Sequence, residues 1–165
     1  MGLNKIKQLL RDKRYDEARA QCVEWRVLHP EDMVEILRIT AESNYLQRRD
    51  EDSFDNWMEI INSGKAVLKD YYLAGNSAIN ISRFDDAEYL FQKVIALGKE
   101  QSDEWFSSAA LFLLAYSKMY LGKFDEALLS LDEAAKADSE CAMPLPGYKG
   151  LLTHNQLRQE ILRRS

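Results

Sequence analysis

The sequence predicts an all-α fold made of about four consecutive helix–turn–helix units and one further helix at the C-terminal end. Three observations predict it. A six-residue phrase recurs along the chain. Its copies are spaced at intervals close to one or two periods of roughly 34 residues. Helix breakers are scarce, with three prolines and seven glycines among 165 residues, and this composition is typical of a folded domain and not of a disordered segment.

The recurring phrase is found at residues 13–18 (KRYDEA), 82–87 (SRFDDA) and 122–127 (GKFDEA). The first two copies are 69 positions apart, counted from Ala18 to Ala87, which indicates a degenerate copy between them. Ser53 fills that place, 35 positions after Ala18 and 34 before Ala87. The last interval, from Ala87 to Ala127, is 40 positions, so we expect an insertion of about six residues around 98–103.

Small residues recur at two places in each unit, where a larger side chain would push two crossing helices apart. On the second helix these positions are Ala18, Ser53, Ala87 and Ala127, and on the first helix they are Ala41, Gly75 and Ala115. With this pattern the chain resembles the tetratricopeptide repeat (TPR) family. The proline that closes the family's unit survives only as Pro30, so other residues must end the remaining helices.

The resemblance implies a TPR-like α-α superhelix over residues 1–142, with repeats at about 1–30, 31–64, 65–101 and 102–138. We expect the second helices at 13–29, 50–63, 83–98 and 123–138, each preceded by a first helix. Residues 143–165 are expected to form a breaker-rich loop and a C-terminal capping helix. A capping box at 153–156 is expected to begin this helix, with Leu157, Ile161 and Leu162 on its apolar face.

The net charge is −5, but residues 1–142 hold 18 Lys and Arg against 26 Asp and Glu (−8), while 143–165 hold four against one (+3). An acidic body disfavours nucleic acid and favours a basic protein partner, although it also fits an ordinary solvated surface. The N-terminal residues do not resemble a signal peptide, and no apolar run is long enough to cross a membrane. We therefore expect a cytoplasmic protein without membrane association.

No pattern of residues indicates catalysis. Cys22 and Cys141 are far apart, and His29 and His154 form no cluster at the spacing of metal ligands. The pair Gly64-Lys65 lacks the first glycine and the Ser or Thr of a phosphate loop. We expect a protein that is not an enzyme and that uses no cofactor and no metal.

In TPR proteins the first helices line the concave face, and the resemblance implies a protein-binding surface there. The expected residues are Arg38, Glu42, Tyr45, Lys69, Tyr72, Asn76, Asn80, Phe112, Tyr116 and Tyr120. The aromatic residues among them suit protein recognition because rigid rings lose little entropy on binding. For Phe112, Tyr116 and Tyr120 a second interpretation stays open, in which they pack beneath the terminal helix.

These features predict a protein–protein interaction module. One version is an immunity-type protein that neutralises a basic toxin domain by covering it. Alternatives are a chaperone that grips an extended segment of a secreted protein, and a scaffold or homo-oligomer that associates with itself. The sequence does not decide among them.

Overall fold

The computed structural model describes residues 2–102 and 105–165, and these residues are predominantly helical. The helices are α1 (Leu3–Arg11), α2 (Tyr15–Leu28), α3 (Met33–Leu46), α4 (Asp50–Asn62), α5 (Leu68–Asn80), α6 (Phe84–Gln101), α7 (Ser107–Tyr120), α8 (Phe124–Ala137) and α9 (His154–Arg164). A 3-10 turn, Pro30–Asp32, precedes α3. The predicted all-α class is confirmed, and each predicted second helix agrees with α2, α4, α6 or α8 to within three residues at either end.

Part of the insertion predicted around 98–103, residues 98–101, belongs to helix α6. Helix α6 has 18 residues, compared with 13 or 14 in α2, α4 and α8, and it ends at Gln101. Ser102 then adopts a left-handed conformation, with φ of 54°. Asp103, the last residue of the predicted insertion, lies outside the described residues.

The chain divides into two compact units, residues 1–70 and 71–165, with the boundary inside α5. In the first unit consecutive helices pack on each other, α1 on α2, α2 on α3, and α3 on α4. Their apolar faces close a core that includes Ile6, Leu9, Ala18, Cys22, Ile36 and Ile39. Leu3, Leu10 and Trp25 pack against this core from its edge.

The second unit is built around α7. Every residue from Ala110 to Met119 is buried, and α7 packs against α6, α8 and α9. A helix that is apolar around most of its circumference can only be stable when neighbours cover all of its sides. This accounts for the apolar run from Ala109 to Tyr116 in the sequence.

Four turns between consecutive helices share one backbone conformation. Their central residues, Lys13, Arg48, Ser82 and Gly122, have φ between 60° and 73°. In each turn the amide of the next residue donates to the carbonyl five positions earlier, at 2.9 Å. This is the 6→1 hydrogen bond of a Schellman motif. The recurring phrase in the sequence is therefore the turn and the first residues of the helix that follows it.

The predicted small residues are buried where the helices cross. Ala18, Ala41, Ser53, Ala87, Ala115 and Ala127 are all completely inaccessible to solvent. Ser53 also donates a hydrogen bond from its hydroxyl to the carbonyl of Ala41, at 3.0 Å. At Gly75 a Cβ atom would lie only 2.7 Å from the Phe91 ring. The seven positions thus permit the close helix contacts for which they were predicted.

The C-terminal segment contains a short β-hairpin that the sequence did not predict. Strands β1 (Ala142–Pro144) and β2 (Leu151–Thr153) pair antiparallel, within the segment that was expected to be a loop. The capping box of Thr153 and Gln156 at the start of α9 is confirmed. The prediction for its apolar face was wrong at Leu162, which is 56% exposed, whereas Leu157 and Ile161 are buried. No helix among the described residues is long and apolar enough to cross a membrane.

Candidate protein-binding surface

In the first unit, the predicted surface residues Arg38, Glu42 and Tyr45 lie on α3, and Lys69 lies in the first turn of α5. Positions 38, 42 and 45 share a face because three- and four-residue steps return to the same side of a helix. Glu42 and Lys69 are exposed, while Tyr45 is half-buried. These three residues are available to a partner of the first unit.

Arg38, in contrast, is engaged by the protein itself. Its Nε and Nη2 atoms donate to Oδ1 and Oδ2 of Asp70, at 3.0 and 2.7 Å, and the Asp70 side chain is only 3% exposed. The hydrogen bond to Asp70 raises the pKa of Arg38. Arg38 also pairs with Glu35, whose pKa is lowered mainly by its hydrogen bond to Lys7. The first role of Arg38 is therefore to hold α3 against the start of α5.

In the second unit, Tyr72, Asn76 and Asn80 lie on α5 and are all half-buried. The Tyr72 ring packs edge-on against Phe91, with centroids 6.1 Å apart, and against Phe106 at 4.7 Å. Asn76 donates from Nδ2 to the carbonyl of Tyr72, at 2.9 Å. The Tyr72 ring is thus partly engaged by the buried side chain of Phe91.

The aromatic residues of α7 lie beneath the C-terminal segment. Phe112 is fully buried and meets the His154 ring edge-on, with centroids 5.1 Å apart. Tyr116 is 1% exposed and donates its hydroxyl hydrogen to the carbonyl of Pro146, at 3.1 Å. Desolvation by this burial raises the pKa of Tyr116.

Tyr120, at the end of α7, is 37% exposed, and the guanidinium of Arg164 lies 4.7 Å from its ring centroid. The Tyr120 ring also stacks on Phe84, with centroids 4.4 Å apart. The structure thus agrees with the second of the two interpretations given above for these aromatic residues. Phe112 and Tyr116 are not accessible to a partner while the C-terminal segment covers them.

Several apolar side chains that point outward from second helices were not among the surface residues predicted from the sequence. Val23 and Val27 on α2 are 68% and 79% exposed, and Leu129 on α8 is 64% exposed. The sequence feature that could have identified Val23 and Val27 is their position around the helix axis. Val23 and Val27 are one turn apart, and neither shares the helical face of Ala18 and Cys22, which enter the core.

Each unit has a surface groove between two second helices, α2 and α4 in the first unit and α6 and α8 in the second. A first helix, α3 or α7, forms the floor of each groove, and the two floors carry polar contacts at equivalent positions. In the first unit, Asn44 of α3 donates to Oδ1 of Asn56 on α4, at 3.1 Å. In the second, Lys118 of α7 donates to the Ser130 hydroxyl on α8, at 3.3 Å. Asn44 and Lys118 each follow the buried alanine of their helix by three positions. The two units therefore share a polar contact at equivalent positions, in addition to the shared turn conformation.

His29, Glu31 and Asp32 form a group whose possible ligand atoms lie within 4.8 Å of one another, a cluster that was not predicted from the sequence. Asp32 accepts a hydrogen bond from the Trp25 indole at 2.8 Å. The His29 ring stacks on Trp25, with centroids 3.8 Å apart, and its Nδ1 lies 3.2 Å from Glu31. These contacts within the protein account for the arrangement of the three side chains.

No protein-family model matches the chain, and no curated protein matches it. The surfaces described above are therefore defined by the residues of this chain alone.

Proposed function

We propose that this chain is a non-enzymatic protein-binding module with a TPR-like α-α superhelix. The observation that carries the proposal is the recurrence of one helix–turn–helix unit with the same turn backbone at Lys13, Arg48, Ser82 and Gly122. Stacked units of this kind bury their small residues and leave an extended surface, which repeat proteins use for binding. In the described residues the recurring small side chains serve packing.

On the first unit the proposed binding residues are Glu42, Tyr45 and Lys69. Glu42 and Lys69 carry charges into solvent, and Tyr45 offers part of its ring. A tyrosine with flanking charges is typical of binding sites, where the ring supplies contact area and the charges select the partner. On the second unit the half-buried Asn76 and Asn80 supply amide groups on the face of α5 that also holds Tyr72.

The proposed partner is a basic protein, and a toxin domain neutralised by this chain is the specific form of the proposal. Residues 1–142 carry a net charge of −8, and a surface of one sign accelerates association with a partner of the other sign. An inhibitor must also hold its folded partner tightly, with a Kd at or below about 1 nM.

The test is to isolate the partner with tagged protein and then to measure its affinity for surface variants. Glu42→Lys combined with Tyr45→Ala should raise the Kd about 30-fold or more, as expected for loss of a central aromatic contact and a reversed charge. Glu51→Lys is the control, because Glu51 is equally an exposed glutamate but lies on the second helix α4. If the control weakens binding and the double variant does not, the second helices form the interface. A weak complex with an unfolded segment would favour the chaperone function instead.

A further inference from the structure

A groove in the second unit lies between α6 and α8, with α7 at its floor. Its volume is about 540 Å³, within the range of roughly 300–1,000 Å³ that is typical of binding sites. The floor is apolar and includes Ile95, Leu111 and Leu114, of which the two leucines are 8% and 5% exposed. Among the described residues, two polar side chains lie deep in this groove, Lys118 and Ser130, which are 9% and 5% exposed. Lys118 donates to the Ser130 hydroxyl at 3.3 Å and pairs with Glu126 at 3.2 Å.

The same surface carries an apolar side chain that could fill such a groove. Leu129 lines the rim on α8 and is 64% exposed. On α6, Tyr89 is 50% exposed, and it shares a face with Ala96, which lies seven residues further along and lines the groove. An apolar groove beside an exposed leucine is a self-complementary patch, which is the property required of a two-fold symmetric interface.

The charges on the two rims are also self-complementary. Lys99 lines the rim on α6 and Glu133 lines the rim on α8, and both are exposed. A two-fold axis parallel to the groove and close to α8 would lay α8 of each copy over the groove of the other, beside its α6. Lys99 of one copy would then face Glu133 of the second, and the ion pair would form twice.

We propose that the α6–α8 groove is a homodimer interface, in which Leu129 of each copy enters the groove of the other and Lys99 pairs with Glu133 across the two-fold axis. The occupant of the groove is thus a second copy of this chain. This interface lies on second helices and is independent of the proposed partner surface on α3 and α5. The proposed contact centres on one leucine and one ion pair from each copy, whereas a standard interface has roughly 20–30 residues a side. The dimer should therefore be weak and in exchange with the monomer.

The experiment is sedimentation equilibrium of the full chain at concentrations up to about 0.5 mM. The wild type should show a monomer–dimer equilibrium, and Leu129→Lys should remain monomeric throughout. Lys99→Glu and Glu133→Lys should each raise the dimer Kd about tenfold or more, because each change sets two like-charge pairs against each other. The double variant Lys99→Glu with Glu133→Lys should recover the wild-type Kd, since it only exchanges the two charges.

A matched control is Glu100→Lys, which reverses an exposed charge on the same helix beside Lys99 and does not line the groove. It should dimerise like the wild type. A wild-type chain that stays monomeric at 0.5 mM, on the order of a Kd above 1 mM, would overturn the proposal. So would a Leu129→Lys variant that dimerises normally, or a double variant that is no better than either single reversal. Helical content of each variant by circular dichroism shows that the comparison is made on folded protein.

Discussion

The guanidinium of Arg38, on α3, binds both carboxylate oxygens of Asp70, which lies 32 positions later in the chain, in the first turn of α5. The contact is a two-pronged fork, with Nε on Oδ1 and Nη2 on Oδ2, the geometry in which arginine recognises a carboxylate best. Oδ2 of Asp70 also accepts from the amide of Val67, at 2.9 Å. One nearly buried carboxylate thus fixes both the start of α5 and its contact with α3.

Replacing Asp70 with alanine should therefore destabilise the first unit. The change leaves the Arg38 guanidinium without its main partner and removes the acceptor for the amide of Val67. We expect a loss of about 2–3 kcal/mol in the free energy of unfolding, measured by chemical denaturation. Arg49→Met is the comparison, because the Arg49–Asp52 pair is about half exposed on both sides and such surface pairs contribute about 1 kcal/mol or less. Equal losses in the two variants would show that the Asp70 contact is no stronger than a surface ion pair.

Gly75 leads to a second prediction, about a close helix contact in the second unit. In Gly75→Ala the new methyl group would meet the Phe91 ring at 2.7 Å, and Phe91 is fully buried and in contact with Tyr72. Overpacking costs about 1–3 kcal/mol, and the higher helix propensity of alanine offsets about 1 kcal/mol. A net loss of about 1 kcal/mol is expected.

Phe91→Leu provides the control for this interpretation. If the ring is what the methyl group meets, adding Gly75→Ala to Phe91→Leu should cost less than adding it to the wild type, or should stabilise the protein. A double-mutant cycle from thermal or chemical unfolding measures this coupling. Additive effects would mean that the helix contact at Gly75 does not depend on the Phe91 ring.

Much of the helical order was predictable because it is encoded locally. The turn phrase has to supply a left-handed residue and the start of a new helix within a few positions, so it recurs as a visible pattern. The small residues at the helix crossings are also visible in the sequence, because no larger side chain fits there and they recur at fixed positions in each unit. These signals located the second helices to within three residues.

The roles of individual side chains were less predictable because they depend on residues distant in sequence. Arg38 occupies a surface position of α3, and only the location of Asp70 makes it structural. The Tyr72 ring is withdrawn from solvent by Phe91 and Phe106. The β-hairpin was missed because its strands are three residues long, too short for alternating hydrophobicity to be recognised, and they are flanked by prolines and glycines that indicate a loop.

His154 leads to a third prediction. Its side chain is nearly buried against Phe112, and neither ring nitrogen makes a hydrogen bond to any described residue. A buried polar group without a partner is costly, and an apolar replacement of similar shape removes that cost. His154→Phe should therefore raise the free energy of unfolding by about 1 kcal/mol.

Two further variants make the outcome for His154 interpretable. His154→Leu tests the same idea with a smaller side chain, in case the phenylalanine ring is too large for the site. Thr153→Ala removes the capping box of α9 and should lower stability by about 1 kcal/mol, which shows that the measurement reports on this helix. Destabilisation by both the phenylalanine and the leucine variants would mean that the imidazole has a favourable interaction in the folded protein.

Glu160 leads to a fourth prediction, for the acid stability of the C-terminal helix. Its carboxylate accepts hydrogen bonds from Arg163 at 2.7 Å and from Arg164 at 2.6 Å, and these bonds lower its pKa from the usual 4.5 to about 2. Because the pKa is lower in the folded protein than in the unfolded chain, the carboxylate stabilises the fold above about pH 4.5, and this contribution is lost as the pH falls towards 2. Arg164 also lies over the ring of Tyr120, so protonation of Glu160 should weaken the contact between α9 and α7.

We therefore expect the wild type to be more stable than Glu160→Gln at pH 6. The difference in the free energy of unfolding should shrink steadily below pH 4.5 and vanish near pH 2, as followed by chemical denaturation at each pH. A difference that stays constant over this range would show that the glutamine disturbs packing and that the two arginines do not stabilise the ionised carboxylate.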